Sequence, residues 1–135
     1  MSNFALRILV ANDQPSIRSA TINIMREAYP AAFFGEAGSG REALLMVLGD
    51  DWDVVILDSM LPGASGIPMV KRIKAVKPAL PVILTTLFTS PQTARWAAKA
   101  GASAYIAYHV APEELLAVLR AMLPKATAAT LVVAS

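Results

Sequence analysis

Short apolar runs alternate along this chain with longer segments in which apolar residues recur at helical spacing. The runs hold β-branched residues and leucines in succession, without polar alternation, which is typical of strands buried on both faces. Five strands are predicted in this way, at Arg7–Ala11, Ala32–Glu36, Val54–Asp58, Val82–Thr86 and Ala104–Ala107. A helix is predicted after each strand, at Ser16–Tyr29, Ser39–Leu48, Ser65–Val76, Pro91–Gly101 and Pro112–Met122.

The strict order of strand and helix, with short connections, predicts a parallel sheet covered by helices on both sides through right-handed crossovers. A doubly wound α/β domain of the flavodoxin-like type, with strand order 2-1-3-4-5, satisfies this pattern. We expect one such domain over residues 1–124. Residues 125–135 fit no further element, and we expect a frayed helix end or a linker stub rather than a strand that pairs with another molecule.

Residue types at the predicted helix ends support these assignments. Ser39 and Glu42 have the spacing of a capping box. Ser90 precedes Pro91 as an N-cap precedes a proline in the first turn, and Gly101 follows a helix where a left-handed glycine is common. Trp52 precedes the third strand and is expected to pack against a helix end. Trp96 lies on the fourth helix, where it either faces a partner or is partly buried.

Composition narrows the class of protein. The chain has 135 residues, 56% of them hydrophobic and 16% charged, with a formal net charge of +2 and no cysteine. Disulfide frameworks and thiolate metal sites are therefore excluded. Pro78–Ala94, the longest uncharged stretch, carries three prolines, so no membrane span is expected, and a cytoplasmic protein is favoured. The basic residues cluster only over Lys71–Lys77, which is better explained as a solvated helix face than as a nucleic-acid patch.

Polar residues stand where the central strands of this sheet end. Asp58 closes the third strand, Asn12 and Asp13 follow the first, and Thr86 and Tyr108 end the fourth and fifth. Carboxyl ends of parallel strands meet at one edge of a sheet, where ligands collect. Two carboxylates with loop carbonyls beside them suit Mg²⁺, and such a metal would offset repulsion between an acidic nucleophile and an incoming phosphoryl group.

These strand ends allow three other interpretations. Asp58 taken alone could simply cap the turn that follows it. A phosphohydrolase or phosphotransferase with a strand-end Asp nucleophile often has a second Asp two residues later, but Met60 stands there. A nucleotide-binding fold is disfavoured, because no Gly-x-Gly-x-x-Gly follows the first strand.

The chain resembles the receiver domain of two-component response regulators over nearly its whole length, from Ile8 to Leu123. The resemblance is carried by the segments Ile8–Asp13, Gly40–Leu44, Asp53–Gly63, Pro81–Thr86, Gly101–Ile106 and Pro112–Leu116. It is strongest for the subfamily that usually carries a helix-turn-helix output domain, so contact with DNA is expected only if such a domain lies beyond this sequence.

The resemblance implies roles for individual residues. Asp58 would be the phosphoacceptor and Asp13 a direct Mg²⁺ ligand, with Met60 adding its backbone carbonyl and Asn12 binding through a water. Thr86 would be the switch hydroxyl and Tyr105 the switch aromatic. The implied partners are a sensor histidine kinase and a second copy of the chain, bound through the fourth helix, fifth strand and fifth helix.

The pattern departs from the family at several pocket positions. Tyr108 and His109 stand where a lysine and a proline are usual, Leu87 replaces a small residue, and Asn12 replaces a second acid. Tyrosine offers a neutral hydroxyl in place of an ammonium group, and the loss of a charge-assisted contact should cost a few kcal/mol locally. Two hypotheses follow: a receiver with altered phosphorylation rate and lifetime, or a pseudo-receiver that signals by binding without phosphoryl transfer.

Overall fold

The computed structural model describes residues 5–61, 66–107 and 110–123. Strands and helices alternate along the chain, as the sequence pattern predicts. The strands are β1 Arg7–Ala11, β2 Phe33–Ala37, β3 Val54–Asp58, β4 Val82–Thr86 and β5 Ala104–Ala107. The helices are α1 Pro15–Ala28, α2 Gly40–Gly49, α3 Gly66–Val76, α4 Pro91–Ala100 and α5 Pro112–Met122. The tail predicted at 125–135 lies outside the described residues.

The five strands form one parallel sheet in the order β2-β1-β3-β4-β5. This confirms the predicted flavodoxin-like topology. In the register of β3 and β4, Asp58 stands beside Thr85, and Ala11 of β1 stands beside Leu57. The sheet therefore aligns the carboxyl ends of its central strands at one edge, where the candidate residues lie.

Alternating side chains of the strands build two hydrophobic cores, one on each face of the sheet. Leu9, Val55, Leu57 and Leu84 point to the face that α2, α3 and α4 cover. Their neighbours in sequence point to the opposite face, where α1 and α5 close the second core. Because both faces of the sheet are buried, the strands consist of continuous apolar runs. In the part of the chain described here, no helix is long and apolar enough to cross a membrane.

The helix ends agree with the sequence signals, with small shifts. α1 begins at Pro15, one residue before the predicted start, because a proline is well suited to the first helical turn. Ser39 caps α2 by accepting a 3.1 Å hydrogen bond from the Glu42 backbone N–H. The Glu42 carboxylate, however, accepts from the N–H of Gly38 and not from that of Ser39, so the capping box is displaced by one residue. Gly101 ends α4 in the left-handed conformation, as predicted.

Trp52 packs across the outer strand β2 and lies directly over Gly35, where a larger residue would meet the indole ring. The indole is buried and its Nε1 donates a 2.9 Å hydrogen bond to the Met46 carbonyl in the last turns of α2. This confirms that Trp52 packs against a helix end. A Cβ built on Gly35 would lie 2.3 Å from Trp52 Cη2 and 2.9 Å from its Cζ3.

Gly35→Ala is therefore expected to lower the free energy of unfolding by roughly 1–3 kcal/mol, because the ring must move out of a filled core. Gly49→Ala, the matched control, places its Cβ in open space and replaces a helical glycine, so it should be neutral or stabilising. Urea unfolding of both variants tests this expectation. A Gly35→Ala protein as stable as the wild type would contradict it.

Candidate functional site

Asp58 and Asn12 lie side by side in the sheet order, at the carboxyl ends of β3 and β1. Asp58 is 5% exposed and Asn12 is equally buried, whereas the side chain of Asp13 is open to solvent. The β1–β3 pairing ends at Ala11 and Leu57, one residue before each of them. The strand ends thus bring the residues of the first and third strands together, as the sequence order requires.

The two oxygens of Asp58 have different surroundings. Oδ2 accepts a 3.0 Å hydrogen bond from the backbone N–H of Met60, so the carboxylate does cap the turn after β3. Oδ1 is also buried, yet no group among the described residues donates a hydrogen bond to it. A buried charged oxygen without a partner is costly. Turn capping therefore accounts for one oxygen and leaves the other free for a ligand.

Burial and a neighbouring charge both act on the Asp58 carboxyl. Burial raises the pKa of the Asp58 carboxyl above its ordinary value, and the negative charge of Asp13 raises that pKa further. The Met60 N–H, the Thr85 hydroxyl and the Ser59 N–H act in the opposite direction, since each favours the charged carboxylate. The surroundings of Asp58 therefore disfavour the charged carboxylate on balance, and a bound cation would stabilise that charge.

These donors fit a hard cation. Asp58 offers the buried Oδ1, Asp13 offers an exposed carboxylate close by, and the preference of Mg²⁺ is for oxygen ligands and retained waters. Within the described part of the chain no three acidic or histidine side chains cluster as a metal cage.

Asn12 shapes the loop between β1 and α1. Its Oδ1 accepts a 2.9 Å hydrogen bond from the Gln14 backbone N–H, and its own N–H donates to the Ala37 carbonyl at 2.9 Å. The side chain therefore closes a local turn around Asp13. One lone pair of Oδ1 is used in this way, and the other is still available to a water.

Thr86 and Tyr105 are joined through a single backbone carbonyl. The Thr86 hydroxyl donates to the Phe88 carbonyl at 3.2 Å, and the Tyr105 hydroxyl donates to the same oxygen at 3.5 Å. The two residues that the resemblance pairs as switch residues are thus both attached to the loop after β4. The Phe88 side chain on that loop is 77% exposed, and Leu87 beside it is also exposed.

Thr85 was not selected by the sequence analysis, although it is the threonine nearest to Asp58 in the sheet register. Its buried hydroxyl donates a long 3.4 Å hydrogen bond to the Leu57 carbonyl. Turned toward Asp58, the same hydroxyl would favour the charged carboxylate. Strand alternation was the available signal: Thr85 faces the same side of the sheet as Asp58, and Thr86 faces the other.

The remaining predicted residues fall into two groups. Met60 follows Asp58 with its N–H on the carboxylate and its side chain in solvent, and Trp96 is 53% exposed on α4. Tyr108 and His109 lie outside the described residues, so the effect of these two residues on the pocket stays a prediction.

Comparison with known proteins places the chain in a well-populated group. The family described as "Response regulator receiver domain" matches residues 8–120. The transcriptional activator protein ExaE of Pseudomonas putida is 34% identical over 116 residues, which cover 86% of this chain and 54% of ExaE. The DNA-binding response regulator MtrA of Mycolicibacterium smegmatis is 32% identical over 124 residues, 91% of this chain and 53% of MtrA. The chain therefore spans about half the length of these curated relatives.

Solved structures agree with this comparison. The chemotaxis response regulator CheY4 of Vibrio cholerae superposes with a TM-score of 0.80 at 27% identity. The superposition covers 89% of this chain and all of CheY4.

Proposed function

The chain belongs to the response regulator receiver domain family, and from that membership we propose that Asp58 accepts a phosphoryl group from a sensor histidine kinase. Receiver domains are signalling domains and not enzymes, so the product is a phosphorylated protein that changes its contacts. The observation that carries the proposal is Asp58 Oδ1: a buried carboxylate oxygen at a strand end, with no donor among the described residues and an acidic neighbour in Asp13.

Asp13, Asp58 and the backbone carbonyl of Met60 are the groups that would hold Mg²⁺ in this proposal, with Asn12 contributing through a water. When bound, the ion supplies positive charge that offsets repulsion between the carboxylate and the phosphoryl oxygens. The Met60 N–H already holds Oδ2, which restricts rotation of the carboxylate and leaves Oδ1 without a donor among the described residues.

The proposed switch uses the loop after β4. Thr86 leaves the Phe88 carbonyl and donates its hydroxyl to a phosphoryl oxygen on Asp58, while Tyr105 rotates with it. Both hydroxyls now bind the same carbonyl, which supports a coupled movement of the two side chains. The surface that changes would be α4, β5 and α5, where Trp96 is exposed.

That surface would bind a second copy of the chain or an output partner in the cytoplasm. Two relatives of the chain, ExaE and MtrA, are a transcriptional activator and a DNA-binding response regulator, and each is about twice as long as this chain. A DNA-linked output is therefore part of the proposal only for a longer protein that carries such a domain.

A pseudo-receiver is the second candidate, and one observation favours it. Tyrosine occupies position 108, where the family has a lysine, so this position offers a neutral hydroxyl in place of an ammonium group. In that case the domain signals by binding alone and its output is independent of the phosphoacceptor.

Incubation with acetyl phosphate and Mg²⁺ separates the two candidates. A receiver gains the mass of one phosphoryl group, and peptide mapping after reduction with borohydride places the group on Asp58. The same incubation with a chelator in place of Mg²⁺ should give no gain. A protein that takes up no phosphoryl group from acetyl phosphate, phosphoramidate or a histidine kinase overturns the proposed function.

A further inference from the structure

Arg18 of α1 contacts both strand β2 and the loop that carries Asp13. Its Nη1 donates a 2.5 Å hydrogen bond to the backbone carbonyl of Asn12, and its Nε donates at 2.8 Å to Oε1 of Glu36 on β2. The Arg18 side chain is only 18% exposed and its bond to the Asn12 carbonyl is partly buried, whereas Glu36 is 51% exposed. A charged donor strengthens both hydrogen bonds, the buried one most. Glu36 has no role in the sequence analysis, and the structure gives it this one.

The Asn12 carbonyl belongs to the peptide group that joins Asn12 to Asp13. A guanidinium group held from β2 therefore fixes the plane of that peptide, and with it the direction in which Asp13 leaves the backbone. The Asn12 side chain closes the loop from the other side by accepting from the Gln14 N–H. Arg18 is thus attached to the residue before Asp13 and anchored to a neighbouring strand at once.

We infer that Arg18 is a positioning residue for the cation site, which orients Asp13 toward Asp58 by clamping the Asn12 carbonyl to β2 through Glu36. The inference rests on the proposed function, because it assigns Asp13 to Mg²⁺. Arg18 does not touch the cation or the phosphoryl group in this assignment. Its effect passes through the backbone of Asn12 and Asp13.

Replacing Arg18 has two opposite expected effects on Mg²⁺ affinity, one from the lost charge and one from the lost contact with the Asn12 carbonyl. Removal of a positive charge near a cation site should strengthen Mg²⁺ binding by Coulomb attraction alone. Loss of the clamp should weaken it, because Asp13 is no longer held in the binding direction. Partners that orient metal ligands typically contribute ten- to a hundredfold to affinity.

Arg18→Gln is expected to weaken Mg²⁺ binding by about tenfold, measured by isothermal titration calorimetry on the full chain. Arg18→Lys keeps the charge but not the forked geometry, so it should restore only part of the affinity. Arg26→Gln is the matched control. Arg26 is exposed on the same helix and stacks over the Phe34 ring. The Arg26→Gln variant loses the same charge without touching the loop, so its Mg²⁺ affinity should equal or slightly exceed that of the wild type.

Nuclear magnetic relaxation of the backbone provides a readout that does not require the metal. In Arg18→Gln the order parameters of Asp13 and Gln14 should fall from about 0.85, typical of rigid backbone, toward about 0.6. In Arg26→Gln they should not change. A thermal unfolding curve for each variant shows whether the rest of the fold is intact.

Two results would overturn the inference: Mg²⁺ affinity in Arg18→Gln that equals or exceeds the wild-type value, or order parameters of Asp13 and Gln14 that stay at the wild-type level. If the wild-type protein itself binds no Mg²⁺, the metal assignment in the proposed function fails. The positioning role of Arg18 is then decided by the order parameters alone.

Discussion

Asp58→Asn is expected to take up no phosphoryl group and, at the same time, to unfold at higher urea concentration than the wild type when metal is absent. The amide cannot act as the acceptor nucleophile, so phosphorylation should be lost completely. The amide also removes a buried charge whose Oδ1 has no donor among the described residues. We expect a gain of about 1 kcal/mol in the free energy of unfolding near neutral pH.

The pH dependence of this gain follows from the direction of the pKa shift. Burial raises the pKa of Asp58 above its ordinary value of 3.8. Between the ordinary and the raised pKa the folded protein binds more protons at this group than the unfolded chain, so stability falls as pH rises. The advantage of Asp58→Asn should therefore be full above the raised pKa and vanish below the ordinary one.

Asp51→Asn is the control for this experiment, since it makes the same chemical change at a fully exposed carboxylate. It should leave both phosphorylation and stability at wild-type levels, because exposed ion pairs contribute little. An Asp58→Asn protein that still gains a phosphoryl group would place the acceptor elsewhere. One that is clearly less stable than the wild type in metal-free buffer would contradict the account of the unpartnered oxygen.

Asp13→Asn is expected to weaken Mg²⁺ binding by at least about tenfold, a loss of about 1.4 kcal/mol in binding free energy. An amide oxygen replaces a charged ligand, and one of the two carboxylates of the site is lost. The same change should lower the pKa of Asp58, because the Asp13 charge now raises it. Calorimetric titration with Mg²⁺ and a carbon-detected NMR titration of Asp58 measure the two effects.

Asp51→Asn again serves as the control, since it removes one negative charge far from the strand ends that carry the site. Unchanged Mg²⁺ affinity in Asp13→Asn would mean that Asp13 is no ligand. An unchanged Asp58 pKa would mean that the two carboxylates do not interact, and the shared cation site would then have to be abandoned.

The sequence predicted the fold because its signals are local and repeated. Buried parallel strands such as Val54–Asp58 appear in the sequence as uninterrupted apolar runs. The last residue of each run therefore marks the end of the strand. The placement of Asp13 and Asp58 at the same edge of the sheet followed from topology, since neighbouring parallel strands end at a common edge. Element limits shifted by one residue at β2 and at helices α1 to α4, where more than one residue can begin or end an element.

The finer contacts of the site could not be read from the chain. Nothing in the sequence pairs Arg18 with Glu36 or with the Asn12 carbonyl, because these contacts join a helix, a loop and a strand that meet only in the folded protein. Thr86 was preferred over Thr85 because it ends the predicted fourth strand, and the family resemblance then gave it the switch role. Thr85 points to the same side of the sheet as Asp58 and affects the carboxylate, whereas Thr86 points to the other side and binds the Phe88 carbonyl.

The two tryptophans give this domain a pair of fluorescent reporters with contrasting surroundings. Trp52 is enclosed between β2 and the end of α2, so its emission reports on the integrity of the core. Trp96 stands in solvent on α4, within reach of a quencher and of any protein that covers this helix. Acrylamide quenching can therefore follow occupancy of the α4 surface and global unfolding as separate signals, in the wild-type chain and without a label.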